Sequence, residues 1–238
     1  MKHFLRRLPQ GEAVLPLLLV SLLVLMFVAW PLADIGVFTR PFIGMIMTVV
    51  ALSALLAVRD GRGLAWPVLF LGILFILLQF LIVLNPSGPL ILMGEAVAML
   101  FLTLICIVLL LGVFGPGRVS MHRIIGAVVI YLLIALLFSL MYDVIERFWP
   151  GAFTVGAEQA GPTPSGARFF YLSVITLTSV GFGDMAPLHP IARSAVMVEA
   201  ILGQIYTTVL LAWLVSLEVA HGRAQRIRSS GRNGNGPE

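Results

Sequence analysis

The chain has 238 residues, of which 60% are hydrophobic and only 11% charged, with a net charge of +4. Soluble domains run at about 25% charged, so a water-soluble globule is excluded: too few charges to cover a surface, too much apolar side chain for one core. In a chain that lives in lipid, the basic excess reads as a topological signal rather than a nucleic-acid surface, and the single Cys106 excludes an intrachain disulfide framework and a cysteine metal cluster.

Residues 1–13 carry Lys2, Arg6 and Arg7 and form a cytoplasmic N-terminus. An apolar run over 14–37 follows, longer than a signal-peptide core and without an A-x-A cleavage site, so it reads as a retained span. Further runs over 41–58, 64–84 and 90–114 complete a four-helix membrane domain at 14–117, each near the ~20 residues that cross a bilayer. Pro16, Pro31 and Pro67 stand near span ends, where proline is tolerated. A second domain is expected at 118–222, beginning with a fifth span over 121–142. The stretch 147–166 is rich in Gly, Pro and polar residues. After it the apolar run 167–178 is too short to cross and suits a re-entrant half-helix. A sixth span covers 192–219, and a basic tail over 223–238, ending Gly-Asn-Gly-Pro-Glu, is expected to be disordered. With both termini inside, 11 of the 15 basic residues fall on the cytoplasmic side, which fixes the orientation. The re-entrant segment then opens to the outer face.

The segment 176–184 reads Thr-Leu-Thr-Ser-Val-Gly-Phe-Gly-Asp. To strip water from a cation, a pore must offer rings of carbonyl oxygens that replace the hydration shell. An extended strand alternates its carbonyls and cannot do this. Alternating backbone handedness can, and its left-handed positions favour glycine, here Gly181 and Gly183 at every second position. Val180 and Phe182 would then point away from the axis into the supporting helix, and Ser179 would add a hydroxyl at the inner end. The candidate ion path is Thr178, Ser179, Val180, Gly181, Phe182 and Gly183, with a cation held by the carbonyls of Thr178 to Phe182. A plain Gly-Phe-Gly turn is the rival explanation; the re-entrant setting argues against it.

This stretch resembles the selectivity filter of potassium channels, whose usual core is TVGYG, and the likeness runs from Met121 to about Gly222. It covers the last two spans and the loop between them and leaves out the first four. The chain as a whole is similar to bacterial six-span potassium channels that carry the two-span pore module. The resemblance implies an all-α membrane protein of six transmembrane helices, with a re-entrant pore helix and filter between helices 5 and 6, in a tetrameric channel. In that family the residue matching Asp184 is tied to an aromatic of the pore helix, here Tyr171. Two positions depart from the commonest pattern: Ser179 stands for Thr and Phe182 for Tyr, losing a methyl and a bracing hydroxyl. The half-helix would aim its negative end at the pore centre.

One filter segment per chain requires several chains, most simply a homotetramer with fourfold symmetry. Gly203 follows Gly183 on the sixth span, at the family's hinge position, with close helix packing as the other reading. Gln204, Thr207, Leu211 and Val215 recur at helical spacing as cavity wall. Glu199 is an intramembrane charge and therefore marks function by default; a bracing role behind the filter, toward Ser173 or Thr176, is expected. A voltage sensor needs an arginine at every third position of the fourth span, since each charge moved is worth about 2.3 kcal/mol per 100 mV. The span 90–114 contains none, and Glu95 is expected as an interfacial anchor near its outer end. No nucleotide- or calcium-sensing module is expected in the tail. Arg223, Arg226 and Arg228 could hold anionic lipid, although topological anchoring explains them too.

The expected function is a potassium-selective subunit conducting K+ passively in a bacterial inner membrane, with K+ as permeant ion, no cofactor, no enzyme activity and no nucleic acid. A weakly selective cation channel and a secondary transporter with broken helices are the alternatives; the transporter predicts paired interrupted helices, and one re-entrant element is found.

Overall fold

The computed structural model describes residues 14–29, 31–32, 40–58, 65–115, 121–155 and 165–233, with side chains as far as Ser216. The expectations for residues 1–13 and for Arg118 lie outside the described residues, and those for the side chains of Arg223, Arg226 and Arg228 lie beyond the described side chains.

Helix α1 spans Val14–Val24 and continues as a π-helical turn over Leu25–Ala29; α2 spans Arg40–Val58, α3 Ala65–Leu84 and α4 Gly88–Val113. Helix α5 spans Met121–Phe148, a short strand β1 Phe153–Val155, α6 Ser165–Leu177, β2 Met185–Pro187 and α7 Pro190–Asn233. Among the described residues four helical stretches are long and apolar enough to cross a membrane: Trp66–Leu84, Gly88–Val113, Met121–Phe148 and Pro190–Ser216. The protein is an integral membrane protein. These four fall on the third to sixth expected spans, whereas Val14–Ala29 and Met47–Leu56 are shorter apolar helices.

Three local differences from the sequence expectation have physical reasons. Helix α4 starts at Gly88 because extended Ser87 precedes it and Pro89 occupies its first turn, where a missing N–H costs nothing. Helix α5 runs on from position 142 to Phe148: Asp143 and Arg147, which end the apolar run, pair across one helical turn at 2.8 Å, and Glu146 turns to accept amides beyond the helix end. The backbone of α7 is helical to Asn233, where disorder was expected, because Arg223, Ala224, Gln225, Arg226 and Arg228 are good helix formers and after Gly222 no glycine intervenes until Gly231.

The helices associate as a chain of neighbours: α1 packs on α2, α2 on α3, α3 on α4, and both α1 and α4 lie against α5. Leu18, Leu22 and Leu25 of the first helix, Phe101 and Ile105 of α4, and Ile130, Leu133 and Leu136 of α5 belong to one buried cluster that reaches Leu177 at the base of α6. Polar residues inside it are satisfied locally: Ser21 of α1 and Ser53 of α2 donate to carbonyls of their own helices and meet each other at 3.3 Å. Helix α5 thus links the first four helices, through α1 and α4, to α6 and α7.

A second buried cluster sits at the C-terminal end of α5, built on Tyr142, Phe153, Phe169 and Met185. It is closed by antiparallel pairing of β1 with β2, in the register Phe153↔Pro187, Thr154↔Ala186 and Val155↔Met185. The Thr154 hydroxyl donates to the Ala186 carbonyl at 3.1 Å and accepts the Ala186 amide at 2.9 Å. Glu146 accepts the amides of Gly151 and Phe153, and the Ala152 carbonyl accepts those of Leu188 and His189. The segments before α6 and after residue 184 are therefore held to each other and to the end of α5, which fixes both ends of the intervening loop.

Candidate functional site

The site begins where α6 ends. Four carbonyls in the last turn of a helix have no intrahelical partner. Here the chain folds back so that Thr178 N–H donates to Val174 O at 3.0 Å, Ser179 N–H to Thr176 O at 2.9 Å, and Val180 and Gly181 N–H to Ile175 O at 2.8 and 3.1 Å. The amides of 178–181 are thereby turned toward α6. Among the described residues, none of the carbonyls of 178–183 accepts an intrachain hydrogen bond.

The backbone alternates in handedness through this loop. Ser179 has φ +58°, Gly181 +50° and Gly183 +81°, so every second residue is left-handed. Glycine takes this conformation freely; a serine held in it costs about 1–2 kcal/mol. Ser179 carries the pattern one position further inward than the glycines alone announce. Its hydroxyl accepts a hydrogen bond from Nε2 of Gln204 on α7 at 2.5 Å.

Val180 and Phe182 do not lie against α6 within the chain. They are 53% and 70% exposed in the single chain, so the expected packing into the supporting helix is not made inside one chain. Thr178 bonds its hydroxyl to Val174 O at 2.7 Å. Asp184 follows the loop with Oδ1 buried and, among the described residues, without a hydrogen-bond partner. The phenol of Tyr171 is pushed above its ordinary range by burial and by the Asp184 carboxylate beside it.

Behind the loop, Glu199 of α7 is fully buried and accepts the hydroxyls of Tyr142 on α5 and Ser173 on α6. Ser173 Oγ also lies 2.8 Å from Ala135 O, so one buried carboxyl joins three helices. Thr176 does not bond Glu199; its carbonyl receives the Ser179 amide instead. At the base of α6, Tyr131 O–H donates to Leu177 O at 3.0 Å. A Cβ added to Gly203 would overlap that same oxygen, so α7 approaches α6 here at backbone distance. Helix α7 runs unbroken through Gly203. Tyr206 stacks on Tyr131 with centroids 5.8 Å apart and donates to Ala127 O at 2.7 Å. Of the expected wall residues, Thr207 bonds its own helix through Gly203 O at 3.0 Å, while Leu211 and Val215 are 65% and 55% exposed.

Glu95 is not an isolated anchor. Its carboxylate meets Arg147 of α5 at 3.0 Å, and Arg147 also holds Asp143 at 2.8 Å. The apolar surroundings of α4 favour this pairing over a solvated charge. At the opposite end, the guanidinium of Arg123 donates to Gly115 O at 2.8 Å and lies 5.9 Å over the Trp213 ring, which in turn meets Phe114.

The residues that sequence reasoning did not single out are Tyr131, Tyr142, Tyr206 and Arg147. A signal existed. All four tyrosines of the chain, Tyr131, Tyr142, Tyr171 and Tyr206, lie between 121 and 216, and a buried tyrosine in an apolar helix usually seeks an acceptor for its hydroxyl. Among the described residues no group of three or more His, Cys, Asp or Glu could hold a metal ion.

Comparison with known proteins bears on this half of the chain. Residues 126–219 match the family model described as Ion channel. The match takes in most of α5, all of α6 and the loop after it, and α7 to within its inner part, and it supports a channel protein rather than an enzyme. Over 80 residues, 32% of this chain, the sequence is 34% identical to the inward rectifier potassium channel Kirbac3.1 of Paramagnetospirillum magnetotacticum. The matched stretch spans 23% of that relative's length. No solved structure matches.

Proposed function

We propose that the chain is the subunit of a potassium-selective channel and that K+ passes down its gradient through residues 178–183. The observation that carries this reading is the left-handed backbone at Ser179, Gly181 and Gly183. With right-handed residues between them, the carbonyls of successive residues can be turned to one side, which is what dehydrating a cation demands. The carbonyls of Thr178, Ser179, Val180, Gly181 and Phe182 are the proposed K+ ligands. The identity with an inward rectifier potassium channel favours K+ over other cations.

A ring of carbonyls needs about four copies, so the working unit is a homotetramer. The outward Val180 and Phe182 and the exposed face of α7 at Ile201, Leu202 and Ile205 are apolar surface that neighbouring subunits would cover. Asp184 and Tyr171 brace the outer end, Glu199 the rear, and Gln204, Thr207, Leu211 and Val215 face the inner cavity. Helices α1 to α4 carry no arginine ladder in α4 and do not form a voltage sensor of the usual kind. The protein sits in a bacterial inner membrane with cytoplasmic termini, uses no cofactor, and holds anionic lipid at most through Arg223, Arg226 and Arg228.

The test is K+ uptake into proteoliposomes made with the purified chain and loaded to give a K+ gradient, with barium as blocker. Barium-sensitive K+ flux that does not saturate as a carrier would is expected; saturating uptake coupled to another ion would favour a transporter instead.

A further inference from the structure

The hydrogen bond from Gln204 to Ser179 has a purpose that a cavity-wall position does not require. Ser179 is the innermost left-handed residue of the loop; the neighbouring Thr178 hydroxyl is spent on Val174 O at 2.7 Å, whereas that of Ser179 is met from α7. A threonine there would have its χ1 restricted by branching at Cβ; serine lacks the methyl, and its Oγ turns more freely among rotamers. An oxygen that must hold an ion cannot be left to rotate. Gln204 Nε2 donates to this Oγ at 2.5 Å. A hydroxyl has two acceptor lone pairs, so the bond uses one, fixes the oxygen, and leaves the other lone pair for a cation.

The donor is itself well placed. Gly203, its neighbour on α7, sits at backbone distance from Leu177 O, and Leu177 O is held from the other side by Tyr131. The first turn of the loop and the Gln204 position on α7 are thus referenced to one carbonyl. Thr207, one turn on, spends its hydroxyl on its own helix and does not compete for Ser179. Both Gln204 and Ser179 are exposed in the single chain, on the side where a shared pore would lie.

We propose that Gln204 is a positioning residue for the innermost cation site, its side-chain amide doing for Ser179 what the branched methyl would do for a threonine. This rests on the reading of 178–183 as the ion path. The occupant is a dehydrated monovalent cation of potassium's size, and a divalent ion of similar radius, barium, probes the same site.

The experiment is calorimetric titration of K+ and of Ba2+ into the purified full chain in detergent, which needs no open gate, with thermal melting of the same samples. Gln204→Met keeps the length and removes the donor. It should weaken Ba2+ binding about tenfold, the equivalent of about 1.4 kcal/mol shared among the four subunits of the ring, with the melting temperature unchanged. Adding Ser179→Thr should return the affinity to within about twofold of wild type, and in a Ser179→Ala background Gln204→Met should change nothing further. Ba2+ affinity unaltered by Gln204→Met, or no recovery with Ser179→Thr, overturns the inference. Should Gln204→Met fail to fold, Gln204→Leu takes its place, and Ba2+ binding that remains sensitive to Gln204→Leu in the Ser179→Thr background overturns the inference. Wild-type chain that binds neither K+ nor Ba2+ refutes the channel reading and takes the inference with it.

Discussion

Replacing Glu199 with leucine tests the rear of the site. The wild-type carboxylate is fully buried and accepts the hydroxyls of Tyr142 and Ser173. Leucine fills most of the volume but accepts nothing. Ser173 keeps Ala135 O at 2.8 Å, so its hydroxyl stays satisfied. Tyr142, with no exposed surface, is left with a buried unpaired hydroxyl at a cost of about 1–3 kcal/mol. In a four-chain assembly that melts as one unit, the loss is about four times larger, ~4–12 kcal/mol. Glu199→Gln retains an acceptor for Tyr142 and should cost well under half as much. Removing both partners, with Glu199→Leu and Tyr142→Phe together, should recover much of the loss, since replacing both ends of a buried hydrogen bond by apolar groups is nearly neutral. The assay is thermal dissociation of the purified oligomer in detergent, read beside the reversal potential in bilayers. Unchanged oligomer stability in Glu199→Leu with an altered conductance would refute the bracing role and place Glu199 in the ion path.

Gly203→Ala should prevent assembly or sharply lower the melting temperature, because the new Cβ would press on the Leu177 carbonyl, a backbone atom that cannot rotate away; size-exclusion profiles of the purified variant check this. Gly181→Ala meets open space in the chain, so it should leave the fold intact and act through its left-handed φ alone, at about 1–2 kcal/mol per chain; bilayer recordings should show K+ over Na+ preference lost in protein that still assembles, with the melting temperature lowered by no more than that strain accounts for. Arg147→Met leaves Glu95 and Asp143 facing each other without their shared cation. With Arg147 partly exposed, the loss should be about 1–3 kcal/mol rather than the 3–5 of a fully buried pair, measurable by melting and relieved by adding Glu95→Gln. Thr154→Val removes both hydrogen bonds to Ala186 and should speed hydrogen exchange at the Ala186 amide without altering that at Ile130.

The apolar helices were legible because length and hydropathy suffice to mark a span, and α3 to α7 begin close to the expected positions. The half-helix was legible for the opposite reason, being too short to cross. Where polar residues close a helix end, the pattern failed: Asp143, Glu146 and Arg147 read as the end of a span, and only their partners in space, Glu95 and the amides of Gly151 and Phe153, show why the helix continues. Glycines disclosed two of the three left-handed positions; Ser179 was silent because serine has no intrinsic preference for that region, and the partner of its hydroxyl, Gln204, stands on a different helix. The same holds behind the loop. Glu199 announced itself as a charge in lipid, and of the two partners expected for it, Ser173 and Thr176, it meets Ser173; Tyr142 comes from α5, far off in sequence, and no periodicity connects them.

The central claim is that residues 178–183 select potassium. Purified chain in a planar bilayer, with potassium on one side and sodium on the other, measures it directly. The account predicts a barium-sensitive current reversing close to the potassium equilibrium potential; a current reversing near zero or toward the sodium potential would contradict it.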